Sequence, residues 1–410
     1  MSSNFKYNVY NDLSTTNIII VGNPQISYFS AVYRKYTYFS IDRRESPLKD
    51  EKSDTFSDTL LNSGGVDLLL NISIMFDVKT PNLSFPQNIG TSVIDNINYY
   101  AARSVNNNPQ NVLEKLSGSY IDILNNLSNP LHPNSFYEEK NSKTEYHIVS
   151  GNLYNVLSGS GGVFNKNNAS GTISKLIVPL PFSFSNNPGN AVPIILFGHN
   201  YNLIFNTKIK KNYIGKIFEF KYIYKTLHLF DNEERQRFLQ NSNEYIYTRV
   251  YEIKIIDNKI PYYEIPTYDL YNNIKSMIWV DNGNGGNNKY NISINNLDLF
   301  NSTDNYLDKE YFTKIFPKKA GLVGCGKKLN ASNIVDSNNI CYYTFGLKNT
   351  YDNEDTPSGS INSSINQVRI KSNNNNNLNF DTLYLECYNI LIFEENKAPR
   401  FMFSQKQLQS

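Results

Sequence analysis

The apolar residues of this chain gather in short runs, and few of them recur at helical spacing. Asn17 to Val21, Ile26 to Tyr33, Val66 to Val78, Ser174 to Phe184, Val192 to Phe205, Ile217 to Phe230 and Tyr245 to Ile256 are rich in Ile, Val, Tyr and Phe. Gly, Pro or Asn clusters separate many of them. The second half continues with Ser276 to Val280, Tyr290 to Ile294, Ile340 to Leu347, Gln367 to Ile370 and Leu383 to Phe393. Branched and aromatic side chains suit a pleated, half-buried surface, so each run predicts a strand. Many short strands without amphipathic helices between them predict an all-β fold of sandwiches or barrels.

One segment departs from this pattern. Asp231 to Gln240 reads DNEERQRFLQ, with Asp231 placed to cap a helix and Glu234 three residues on, as in a capping box. Glu233 and Arg237 stand four apart, the spacing of a surface ion pair. A short charged helix here predicts a boundary between an N-terminal domain, residues 1–240, and a C-terminal domain, residues 241–410. Internal similarity supports the division. A strand ending in Pro181-Phe182-Ser183-Phe184 leads to a Pro188-Gly189 turn and closes on Phe220 to Phe230; Tyr342 to Leu347 leads to Pro357-Ser358-Gly359 and closes on Leu383 to Phe393. Two copies of one β-domain are the simplest reading, and eight-stranded antiparallel jelly rolls fit the length.

Composition narrows the function classes. Lys plus Arg is 39 against Asp plus Glu 37, a net charge of +2, so no broad electrostatic attraction for nucleic acid is expected. Charged residues are 19% and aromatic residues 14% of the 410, which requires many rings to be buried or paired. Asn is frequent, but it serves turns and loop tips, and abundant aromatic and β-branched residues argue against disorder. The tracts Asp281 to Asn288 and Asn373 to Asn377 read as connecting loops that bury nothing. Cys325, Cys341 and Cys387 are too few for a disulfide framework or a four-ligand zinc site and fit a reducing compartment. Met1 to Leu13 lacks a signal-peptide pattern, and no run approaches the roughly 18 apolar residues of a membrane span.

Catalytic motifs are missing. Gly321-Leu322-Val323-Gly324-Cys325-Gly326-Lys327-Lys328 matches seven positions of a phosphate-binding loop, but Lys328 occupies the place of the magnesium-holding Ser or Thr, and neither a strand before nor a helix after is predicted. It reads as a glycine-rich surface loop in which Lys327 is a solvated charge. The histidines, His132, His147, His199 and His228, lack metal-binding spacing, and no nucleophile motif accompanies them. Glu233-Glu234 and Glu394-Glu395 read as solvent-facing. Asn-x-Ser/Thr triplets at Asn71, Asn126, Asn291 and Asn362 follow from the abundance of Asn. No catalytic, cofactor-binding or metal-ligating residue is assigned.

Read in order, the punctuating segments resemble the major capsid protein family of nucleocytoplasmic large DNA viruses. Ile26-Ser27-Tyr28-Phe29 and Val32 to Phe39 resemble its first block, and Tyr120 to Leu127 with Tyr146 to Gly151 the middle of its first domain. Pro179 to Pro193 is similar to its most recognisable signature, with Ser183 where the family usually has Trp. Phe230 to Phe238 with Asn243 to Ile246 resembles the interdomain segment. Lys275 to Val280, Tyr343 to Leu347, Pro357 to Ile365 and Tyr388 to Phe403 resemble second-domain motifs. The resemblance implies a double jelly roll and a homotrimer whose six sandwiches approximate a hexagon in an icosahedral shell. It also implies neighbouring capsomers, minor capsid and penton proteins as partners, and a place in the virion near an internal membrane that it does not span, after assembly in host cytoplasm. Neither an enzyme nor a cofactor is expected. A minor capsid paralogue and a tandem carbohydrate-binding module are the competing readings; a cupin-type enzyme would need a His-rich metal site that the chain lacks.

Overall fold

The computed structural model describes residues 38–48, 54–60, 66–79, 89–103, 112–128, 137–140, 145–148, 163–165, 172–186, 188–198, 200–240, 243–256, 260–266, 273–281, 288–300, 306–319, 340–347, 358–373 and 378–402. The expected strands Asn17 to Val21 and Ile26 to Tyr33, the Gly321 to Lys328 loop, Cys325, His132 and His199 lie outside them. All the elements below belong to one compact unit, Phe39–Ser410.

In chain order the first half supplies β1 (Phe39–Pro47), β2 (Thr55–Leu60), β3 (Leu68–Lys79), β4 (Ile94–Ala102), β5 (Val112–Ser117), β6 (Tyr137–Lys140), β7 (Glu145–Ile148), β8 (Val163–Asn165), β9 (Thr172–Pro179), β10 (Val192–Pro193), β11 (Asn202–Ile209) and β12 (Ile217–Leu229). One sheet runs β1-β12-β3, with β9 and the two-residue β10 sharing the far edge of β3; its partner runs β2-β11-β4-β5. Strands β6, β7 and β8 form a separate small sheet.

The second half supplies β13 (Asn243–Lys254), β14 (Tyr262–Glu264), β15 (Ile274–Val280), β16 (Lys289–Ile294), β17 (Leu297–Asp298), β18 (Leu307–Asp308), β19 (Ile340–Thr344), β20 (Val368–Ser372), β21 (Thr382–Phe393) and β22 (Arg400–Phe401). Its sheets run β13-β21-β15-β19 and β14-β20-β16-β17. If the main strands of each half are counted one to eight, both halves show the same orders, one-eight-three-six and two-seven-four-five. That is the jelly roll made twice. The two segments whose similarity was visible in sequence hold topological equivalents, the eighth strands β12 and β21.

Alternation explains the strands that the pattern predicted. In β12, Phe220, Tyr222, Tyr224 and Thr226 turn inward and are buried. They meet Phe56, Phe76 and Phe205, with Phe56 and Phe220 stacked at 4.2 Å between centroids. The second sandwich closes on Trp279, Tyr290, Phe312 and Phe380. Strands β1, β2, β4 to β8, β14, β17 and β18 fall outside the predicted runs. The first two are polar sheet edges, FSIDRRESP and TFSDTL, where one-sided pairing asks little apolar surface of the sequence.

One expected continuous segment is interrupted, and one helix lies where no strand was expected. Val192 to Phe205 divides into β10, a 3-10 turn Ile194–Phe197 and β11. Gly198 takes φ +55 between them, and a Cβ there would meet Asn396 Oδ1 at 2.0 Å; the reversal therefore needs glycine. Gly118–Ser128, with no acidic residue in its first turn and no basic residue in its last, is a helix seated directly after β5 and capped by Ser117, whose Oγ accepts from Tyr120 N at 3.3 Å. A Cβ on Gly118 would meet the Ile94 carbonyl at 2.3 Å, so the approach of helix to sheet depends on that glycine. The helix buries Tyr120, Ile121, Ile123, Leu124 and Leu127.

The expected connecting helix spans Asn232–Gln240. Glu233 N donates to Asp231 Oδ1 at 2.9 Å, and Arg235 N donates to the Asp231 carbonyl at 3.1 Å, which makes Asp231 its cap. The capping-box half of the expectation is corrected. Glu234 turns to Arg237 at 3.2 Å, so the ion pair is also one residue closer than Glu233 to Arg237. Arg235 reaches back to the buried Asp67 at 3.1 Å; Asp67 also accepts from Leu229 N at 2.7 Å and lies 3.0 Å from His228 Nδ1. The helix is thereby fastened to the end of β12. Asp231→Ala should lower stability by about 1 kcal/mol in a thermal or denaturant melt. Because Glu234 takes a different partner, Asp231→Ala and Glu234→Ala should add to within about 0.5 kcal/mol.

Candidate functional site

Glu386 is a lone carboxylate inside the apolar run of β21, and Lys275 a lone cation inside that of β15. Both strands lie in the β13-β21-β15-β19 sheet. One face of this sheet carries Met277, Trp279, Cys341, Leu383 and Leu385 into the second sandwich's own core. The other carries Ile278, Tyr342 and Tyr384 into an apolar cluster continuous with the first sandwich, which the far ends of β13 and β21 join through Tyr247 and Phe393. The junction between the sandwiches is therefore core, and its polar groups must find partners there.

Glu386 is fully buried. Tyr120, on the helix after β5, donates to Glu386 Oε1 at 2.6 Å across the junction, and Ser276 Oγ donates to Oε2. Lys275 Nζ stands 3.9 Å from Oε2 and 5.8 Å from the centre of the Tyr388 ring. Burial pulls the Lys275 ammonium below its ordinary range, against the opposing charge of Glu386. The Tyr120 ring also lies 5.5 Å from that of Tyr384. One side chain thus joins the sandwiches by both packing and a charge-assisted hydrogen bond.

The second buried carboxylate, Glu114, sits on β5. Ser183 N lies 3.1 Å from each of its oxygens, and Ser183 Oγ accepts from Thr248 N of β13 at 2.8 Å. Asn190 carries the same loop onto β13: its carbonyl accepts from Tyr247 OH at 3.2 Å, and its Nδ2 donates to the Ile246 carbonyl at 3.4 Å. Ser183 is a two-way polar connector. The apolar filling comes from its neighbours, since Tyr99 packs Phe182 at 5.0 Å, Phe184 at 5.5 Å and Phe205 at 5.6 Å.

Burial pushes Glu114 up to about 8, opposed by the Ser183 N–H, the Arg249 charge and the Tyr99 phenol. Burial likewise pushes the Tyr99 and Tyr247 phenols well up. For Glu114 the folded chain holds the proton more tightly than the unfolded chain, whose carboxyl titrates near 4.5. Its contribution is complete below pH 4.5 and is lost as pH rises towards about 8.

The residues singled out in sequence lie elsewhere. His228 stands beside Asp67, and His147 lies on β7. Glu394 pairs with Lys397 at 2.6 Å and Arg400 at 3.1 Å, which pins the turn before β22. The Asn-rich tracts need correction at their ends. Asp281 is fully buried and accepts from Asn288 Nδ2 at 2.9 and 3.0 Å and from Lys309 at 3.1 Å, while Asn373 Oδ1 accepts from Lys289 N. Among the described residues no three His, Cys, Asp or Glu side chains gather as metal ligands, and no helix is long and apolar enough to cross a membrane. Sequence reasoning missed Glu114, Lys275 and Glu386; for Lys275 and Glu386 a single charge inside an apolar strand was the signal, whereas Glu114 stands beside Lys115 in VLEKLS and carries none.

Two measurements probe the junction. Tyr120→Phe should cost about 1.5–3 kcal/mol in chemical denaturation, since it removes a donor from a buried charged acceptor. Glu114→Gln should flatten the fall of melting temperature between pH 4.5 and about 8 that the parent shows.

Known proteins share this architecture. A family model described as the major capsid protein N-terminus matches residues 27–249. The major capsid protein of Pyramimonas orientalis virus is 24% identical over 373 residues, 85% of this chain and 86% of that one. That of Paramecium bursaria Chlorella virus 1 is 26% identical over 240 residues, 56% of this chain and 49% of that protein. Among solved structures, the capsid of the same Chlorella virus, PBCV-1, superposes with a TM-score of 0.65 at 15% identity, covering 92% of this chain and 100% of that one. The Faustovirus major capsid protein superposes with 0.58 at 8% identity, covering 93% and 94%. With the family model spanning more than half of its length, this chain belongs to the major capsid protein family.

Proposed function

We propose that the chain is a structural, non-enzymatic building block of the virion shell of a large DNA virus, and that it acts as a homotrimer. The observation that carries this reading is the jelly-roll topology made twice in one chain of the major capsid protein family. Three such chains supply six sandwiches of one topology, which approximate a hexagon and can tile an icosahedral surface. Neighbouring capsomers, minor capsid and penton proteins are then its partners, next to an internal membrane, with assembly in the host cytoplasm. The helix Asn232–Gln240 marks the division between domains 1–240 and 241–410 in this proposal. Near-neutral charge supports close lateral packing of identical units, because large net charge of one sign would oppose it.

Sedimentation of the purified full chain at micromolar concentration should give a species of three chains, and electron microscopy should show pseudo-hexagonal particles or sheets of them. A stable monomer under those conditions would overturn the assembly reading.

A further inference from the structure

The junction inside the chain is a template for a contact between chains. Within one chain, the helix that follows the fifth strand of the first sandwich lies against the outer face of the second sandwich's β13-β21-β15-β19 sheet, with Tyr120 reaching Tyr384 and Glu386. The second sandwich has the counterpart of that helix. β17 and β18 pair with β16 at successive registers, Ile294 with Leu297 and Tyr290 with Leu307, so together they form an interrupted fifth strand. The helical stretch 311–319 follows. It buries Phe312 in its own core and leaves Tyr311 and Ile315, four residues apart, 40% and 39% exposed.

The first sandwich has the counterpart of the covered sheet. Direct cross-strand partners share a face, which places Phe39, Ile41, Ile223 and Leu227 on the outer side of β1-β12-β3-β9, opposite the buried Tyr222, Tyr224 and Thr226. Phe39 and Ile41 are each 50% exposed, whereas Ile278, Tyr342 and Tyr384 on the outer face of the corresponding sheet of the second sandwich are buried.

We propose that the outer face of the β1-β12-β3-β9 sheet seats the helical stretch 311–319 of a second copy of this chain. The assignment rests on the trimer reading above and supplies its contact surfaces. The contact is head to tail: each chain offers a helical side and a sheet face, so every chain that docks leaves one of each for the next. In-chain and between-chain junctions then alternate around a ring of six sandwiches, and three chains close it.

The test uses the full chain with Ile41→Asp on the sheet face and Ile315→Asp on the helical side. Each variant alone should sediment as one chain instead of three, with circular dichroism and thermal melting like the parent. An equimolar mixture should recover a species of two chains, because one intact face meets one intact helix and the ring cannot close. As an arm independent of stability, the pair Ile41→Cys and Ile315→Cys should give covalent trimers with a short bismaleimide, and neither single variant should. Parent trimers that persist in both Asp variants, or a double-cysteine chain that cross-links no better than the singles, would overturn this surface while leaving the trimer intact. A monomeric parent would instead overturn the trimer reading itself.

Discussion

One sheet, β13-β21-β15-β19, has protein against both faces of its central strands, and the rest of the molecule is arranged around that constraint. Six of the seven residues of β15 are buried. β21 reads as a nearly unbroken apolar run, because a sheet covered on both sides has no polar face to alternate with. Full burial of each large side chain contributes roughly 1.5–3 kcal/mol. Tyr384, Ile278 and Tyr342 collect that gain only if the first sandwich stays seated. The outer face of this sheet therefore belongs to the first sandwich's core, although each jelly roll has a core and a complete strand order of its own.

This constraint explains where the sequence was legible. Inward-facing rings alternate with polar or half-buried residues along β12, which gives the period of a half-exposed strand, and the eighth-strand pair β12 and β21 was visible as a repeat. The connecting helix was legible through Asp231, whose short carboxylate can reach a free backbone donor without tertiary help. Edges were not. β1 pairs only with β12 and carries FSIDRRESP, a composition equally suited to a loop. The Gly118–Ser128 helix has neither acidic residues in its first turn nor basic residues in its last. Tertiary burial of Tyr120, Ile121 and Leu124 holds it in place of local propensity.

The buried carboxylates were hidden for a related reason. In an isolated strand, Glu114 and Glu386 read as breaks in the pattern that would face solvent. Glu386 is intelligible only once Tyr120, 266 positions away, is brought to it. Likewise, Ser183 suggests a lost ring when read against the family pattern, yet the loop places its backbone on Glu114 and its hydroxyl on Thr248. The aromatic volume is supplied by flanking residues of the same segment, Phe182 and Phe184.

Why polar groups should occupy a seam that apolar residues could fill follows from directionality. Apolar contact is roughly proportional to the area removed from water and prefers no angle, so an all-apolar seam would tolerate sliding and tilting of one sandwich on the other. Hydrogen bonds weaken steeply when bent or stretched. The junction has two sets of them on neighbouring strands, Tyr120 with Glu386 of β21 and Ser183 with Thr248 of β13. Two directional contacts, made by different elements of the first sandwich, hold the angle between rigid bodies more closely than one, which leaves rotation about itself. The proposed ring of sandwiches needs that angle held, because an error in it recurs in every chain around the ring.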